Sequence, residues 1–114
     1  MTTSIENFTI ESQLTTSAAD VFSTAGSEKR FISSFVLTNT SSSNVDVTLW
    51  LLETATVATS GSGGNWIVNV TVPSNKAVKV GALIGHVLGT GQKVQGLASV
   101  DAVINVNAAG TLEV

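Results

Sequence analysis

"FISSFVLTNTSSSNVDVTLWLL", Phe31 to Leu52, decides how this chain is read. Two apolar runs flank a bridge of Thr, Asn and Ser, and Asp46 is the one ionisable residue between them. In the second run Val45, Val47, Leu49 and Leu51 alternate with Asp46, Thr48, Trp50 and Leu52. A period of two places the first set on one face of an extended segment and the second set on the other. One face is wholly apolar and the other mixed, as in a strand that covers a core with one side. The bridge at 40–44, "TSSSN", has the side chains that favour turns. The stretch reads as strand, turn, strand.

The same pattern continues outward. Trp66, Val68, Val70 and Val72 alternate with Asn65, Ile67, Asn69 and Thr71, and Val and Thr favour strands throughout. About eight strand segments are expected, near 5–14, 20–22, 30–39, 45–53, 66–72, 77–80, 93–100 and 103–107, with a tail at 111–114 pairing at an edge. Turn chemistry separates them at 24–29, 60–64, 73–76, 89–92 and in "AAG" at 108–110. Pro73 ends a strand, and helix is confined to a turn near 82–85. The expectation is one all-β domain over 1–114, an antiparallel β-sandwich of jelly-roll or immunoglobulin-like type. Residues 1–4 read as a flexible arm and 54–64 as a long loop, either loose or ordered against a neighbouring subunit.

Composition narrows the class of function. Charged residues make up 11% of the 114, against roughly 25% in ordinary soluble domains. Mean hydropathy is +0.37, yet no run approaches the ~20 apolar residues of a membrane helix, and no secretory leader pattern opens the chain. The net charge is −3 and the five cations are dispersed, which argues against nucleic acid as partner. The absence of Cys excludes disulfides, thiol catalysis and Cys-ligated metal, and suits a chain made in a reducing cytoplasm. The sequons at Asn7, Asn39 and Asn69 follow from a sequence rich in Asn and Thr.

No catalytic or metal-ligating constellation emerges. His86 is the sole histidine and has no converging partner in sequence, so no metal or cofactor is expected. The eight carboxylates are scattered singly, and no G-x-S-x-G elbow or Walker Lys-Ser/Thr pair is present. Trp66 shares the apolar face of its strand and reads as core. Trp50, on the mixed face, is a candidate for a protein interface, where Trp is enriched.

Taken in order, these features resemble the small β-sandwich virion proteins of tailed bacteriophages. The residues that carry the resemblance are Ile32 and Ser34, Asn39-Thr40-Ser41, Val72-Pro73, and Leu88 with Gly91 before Ala98-Ser99. Gln92 stands where an Asp is usual, which leaves the subgroup open. The resemblance spans 18–114 and implies a structural component without catalytic residues: a capsid decoration or cement protein, a head-fibre base, or a tail or adaptor piece.

The leading expectation is therefore a decoration protein on the capsid surface of a virion, binding across subunits of the major capsid protein and to itself as a homotrimer or homodimer. Uncharged strand edges without Lys or Pro gatekeepers favour pairing with another chain. The residues expected to make contacts are Met1, Thr2, Thr3, Ser4 and Ile5 in the arm, Trp50, Val57 and Thr59 in the middle, and Thr111, Leu112 and Val114 in the tail. A tail, neck or fibre component is the alternative. A surface carbohydrate-binding module is the second, and it requires an exposed Trp50.

Overall fold

A computed structural model describes residues 2–52, 66–89 and 91–114. Among the described residues nine strands follow one another in the order β1 (Thr3–Gln13), β2 (Ala19–Ser23), β3 (Lys29–Asn39), β4 (Val45–Leu52), β5 (Trp66–Val72), β6 (Ala77–Lys79), β7 (Val87–Leu88), β8 (Lys93–Ala98) and β9 (Ile104–Glu113). A 3-10 turn, Gly81–Leu83, lies between β6 and β7. Among the described residues no helix is long and apolar enough to cross a membrane.

The strands form two antiparallel sheets. Sheet I runs β1-β9-β3-β6, with β7 also paired to β3, and sheet II runs β2-β8-β4-β5. Apart from the short β7, the pairing is nested: β1 with β9, β2 with β8, β3 with β6, β4 with β5. A chain folded in half and wrapped in this way is a jelly roll, the first of the two sandwich types expected.

Alternation in the sequence explains which face is inside. Val45, Val47 and Leu49 of β4 meet Ile32, Phe35 and Leu37 of β3 and Val106 of β9 in one core, all at 1% exposure or less. Phe8 and Phe22 add an aromatic contact between the sheets, with ring centroids 5.1 Å apart, and Arg30 lies 4.9 Å over the Phe8 ring. Sheet II is close-packed at Gly96. A Cβ there would stand 2.9 Å from Leu49 Cδ2 and 3.3 Å from Leu14 Cδ2.

Three expectations are corrected. The segment "AAG", read as a turn, is strand interior: β9 runs unbroken through Ala108, Ala109 and Gly110. Gly110 is there because a Cβ would sit 1.8 Å from the Phe31 carbonyl oxygen, beside the bulge at Ile32/Ser34. Residues 111–114 consequently do not pair at an edge, since β9 lies between β1 and β3. Thr3 and Ser4, placed in a free arm, belong to β1 and pair with Glu113 and Leu112. The strand β7 was not anticipated, being two residues long. The loop expected at 54–64 lies outside the described residues.

Candidate functional site

The hydroxyls and amides of the opening stretch have a structural use. Asn39, 1% exposed, donates from Nδ2 to the carbonyls of Ser43 (2.8 Å) and Val72 (3.0 Å). Its Oδ1 accepts from the Ser41 backbone N–H (2.9 Å) and Ser41 Oγ (2.8 Å). One buried amide thus closes the β3–β4 connection and ties sheet I to the end of β5 in sheet II. On the outer face of sheet II the polar pairs are cross-strand. Thr48 Oγ1 donates to Asn69 Oδ1 (3.0 Å), and Thr71 Oγ1 to Asp46 Oδ1 (2.8 Å). These pairs line a shallow groove of about 270 Å³ and already occupy one another.

At the far edge of that sheet Asp20 Oδ1 accepts from Gln95 Nε2 (2.6 Å) and pairs with Lys93 Nζ (3.0 Å). The Gln95 hydrogen bond, with Lys93 beside it, holds the Asp20 carboxyl below its usual value against the opposing effect of partial burial. Nothing about this trio positions a reacting group. Among the described residues no three His, Asp or Glu side chains converge as metal ligands. The His86 backbone is spent on the fold: its carbonyl accepts from the Ile32 N–H at 3.0 Å.

The expected contact residues divide. Met1, Val57 and Thr59 lie outside the described residues. Trp50 is not at the surface. It is 4% exposed, its Nε1 is buried with no hydrogen-bond partner among the described residues, and no ring face is offered to a sugar or a protein. The other residues come together. Thr2 and Val114 exchange backbone hydrogen bonds of 3.0 and 2.8 Å, and β1 then pairs with β9 through Thr3–Glu113, Ser4–Leu112 and Ile5–Thr111. The two ends of the chain form one corner of sheet I.

That corner belongs to a larger feature. The register Ile5–Thr111–Phe31–Val87 is a single row across β1, β9, β3 and β7. Directly paired residues point to the same side of a sheet, here the outer side. Ile5 is 89% exposed, Phe31 43% and Val87 54%. Three exposed apolar side chains, with Thr111 between the first two, therefore share one row across the outer face of sheet I. Phe31 and Val87 were missed by the sequence reading. Their signal is phase: each is apolar yet one residue out of step with the inward set Ile32 and Leu88.

Beside the row the same face is low. A shallow hollow of about 270 Å³ is lined by Asn7, Ser34, Val36, Asn107, Ala108 and Ala109. Comparison with protein families, with curated proteins and with solved structures returns no match. The chain is thus defined by its architecture, a jelly-roll sandwich with an apolar row on one outer face.

Proposed function

We propose that this chain is a structural protein of a bacteriophage virion, a capsid decoration protein that stabilises the head by binding across major capsid protein subunits. The observation that carries the reading is the exposed row Ile5–Phe31–Val87. Exposed apolar residues grouped on one face, rather than scattered singly, mark sites of protein contact. The row includes Ile5 and passes over Thr111, two residues expected to make contacts from sequence. Jelly rolls serve as capsid domains and as lectins. Fold alone does not choose between these, but the burial of Trp50 takes away the platform that the carbohydrate reading required. The resemblance to small virion proteins supports the first.

The second reading, a tail, neck or fibre component, uses the same surface at a unique vertex. Copy number separates the two. Quantitative mass spectrometry of the purified particle should give hundreds of copies for a decoration protein. A few copies per particle would move the chain to the tail or neck, and none would remove it from the virion.

A further inference from the structure

We propose that the outer edge of β5 pairs antiparallel with the same edge of a second copy of this chain, about a two-fold axis perpendicular to sheet II. The inference specifies one way in which copies join, and its biological use rests on the multi-copy structural role above. It begins with the outermost strands of the two sheets, which are β1, β6, β2 and β5 apart from the two-residue β7. Three of the four carry features that discourage pairing with another chain. β1 is interrupted by register shifts at Asn7/Thr9 and Thr9/Ser12 and contains Glu6 and Glu11. β2 has five residues, a shift at Asp20/Phe22 and the Asp20–Lys93 ion pair. β6 has three residues, follows Lys76 and ends in Lys79. β5 has none of these. Its seven residues pair with β4 in unbroken register and contain no ionisable group, and Pro73 comes only after the strand has ended.

The β5 edge is also incomplete on both of its sides. Val68 and Val70 pair with Leu49 and Val47 and point inward with them. Leu49 and Val47 are fully buried, whereas Val68 and Val70 are only half-buried. On the outer side Asn69 is exposed. Its Oδ1 accepts from Thr48 Oγ1 at 3.0 Å, and its Nδ2 has no acceptor among the described residues. An occupant of this edge must be extended, bring apolar side chains to the inner side and offer an acceptor on the outer side. A second β5 meets all three conditions.

The register follows from the symmetry. A perpendicular two-fold keeps inner side with inner side, and full overlap of 66–72 puts the middle residue, Asn69, on the axis. Val68 then lies opposite Val70 of the mate, and Val70 opposite its Val68, so the inner side is closed twice. The two Asn69 side chains stand about 5 Å apart. Each Nδ2 donates to the other Oδ1, which has a second lone pair beside the one that Thr48 uses. Asp46 is the one ionisable residue of β4 and β5, and it pairs with Thr71. Its copy is three strand spacings and four residues away, about 20 Å, beyond the ~8 Å screening length. No like charges meet. The edge strip, about 24 Å long and 10 Å deep, covers about 240 Å² per copy, roughly a third of a standard interface. The dimer is accordingly weak in dilute solution and is populated where copies are crowded.

The test is sedimentation equilibrium of the isolated chain between about 10 μM and 1 mM, with folding followed by far-ultraviolet circular dichroism. The wild-type chain should show concentration-dependent dimerisation. Asn69→Asp and Asn69→Lys each put two like charges on the axis and remove the amide pair, so each alone should weaken dimerisation at least about tenfold. An equimolar mixture of the two folded variants should associate again, as a heterodimer. A strictly monomeric wild-type chain at 1 mM would overturn the inference, as would dimerisation untouched by residue 69 or a mixture no more associated than its components. None of these results bears on the copy number in the particle, which tests the decoration reading separately.

Discussion

Replacing Asn39 with Ala removes the amide that joins the two sheets, and the cost follows from its partners. Four hydrogen bonds are lost, two donated to Ser43 and Val72 carbonyls and two accepted from Ser41. At about 1 kcal/mol net for each, the upper bound is about 4 kcal/mol. The groups on Ser41 and Ser43 lie near solvent and regain water. The bond to Val72 is buried, so water does not replace it. A loss of about 2–3 kcal/mol remains. With an unfolding entropy of about 2.1 cal/mol/K per residue, 114 residues give about 0.24 kcal/mol/K, so Tm falls by roughly 8–13 °C. Urea denaturation followed by tryptophan fluorescence should show a lower midpoint at unchanged m. Asn39→Asp, which keeps the shape but sets a carboxylate against two carbonyls, should be at least as damaging at pH 7. An Asn39→Ala variant within about 0.5 kcal/mol of wild type, inside the usual scatter of surface substitutions, would refute the bridging role.

Other expectations are read from the same coordinates. Gly110→Ala places a Cβ 1.8 Å from backbone oxygen that cannot yield, so the variant should be insoluble or lose β1–β9 protection in hydrogen exchange. Gly96→Ala meets only side-chain tips at 2.9 and 3.3 Å and should fold, at a cost of about 1–3 kcal/mol by urea titration. Trp50→Phe, which loses no hydrogen bond seen among the described residues, should be far milder than Trp50→Ala, which opens a void costing about 3–5 kcal/mol. The Asp20 carboxyl is held below its ordinary value, chiefly by the Gln95 hydrogen bond and secondarily by Lys93. A depressed folded-state pKa adds stability above the unfolded value, and that stability is lost as pH falls through the folded one. Urea midpoints should therefore drop less on acidification below pH ~4 in Asp20→Asn than in wild type, and equal slopes would refute the assignment.

What the sequence made legible is what alternation encodes. The inward valines and leucines of β4 were assigned to their face because burial of one side leaves a period of two. "AAG" misled because small residues signal a turn and a close backbone approach equally well. Only the register, which brings Phe31 beside Gly110, tells them apart. The N-terminal residues carry no apolar period, since β1 is held there by backbone pairing with β9, and so they read as an arm. Trp50 looked exposed by phase, yet its end of the outer face is covered. The apolar row was invisible for a topological reason. Ile5, Phe31 and Val87 lie on three strands far apart in sequence, and the nested wrap of the jelly roll alone aligns them.

The central claim is that the outer face of sheet I is held by another protein in an assembled particle. An image reconstruction of the intact virion tests it directly. The account predicts many copies on the head lattice, each with Ile5, Phe31 and Val87 covered by a neighbouring subunit. Copies whose row faces open solvent, or a particle without the chain, would contradict it.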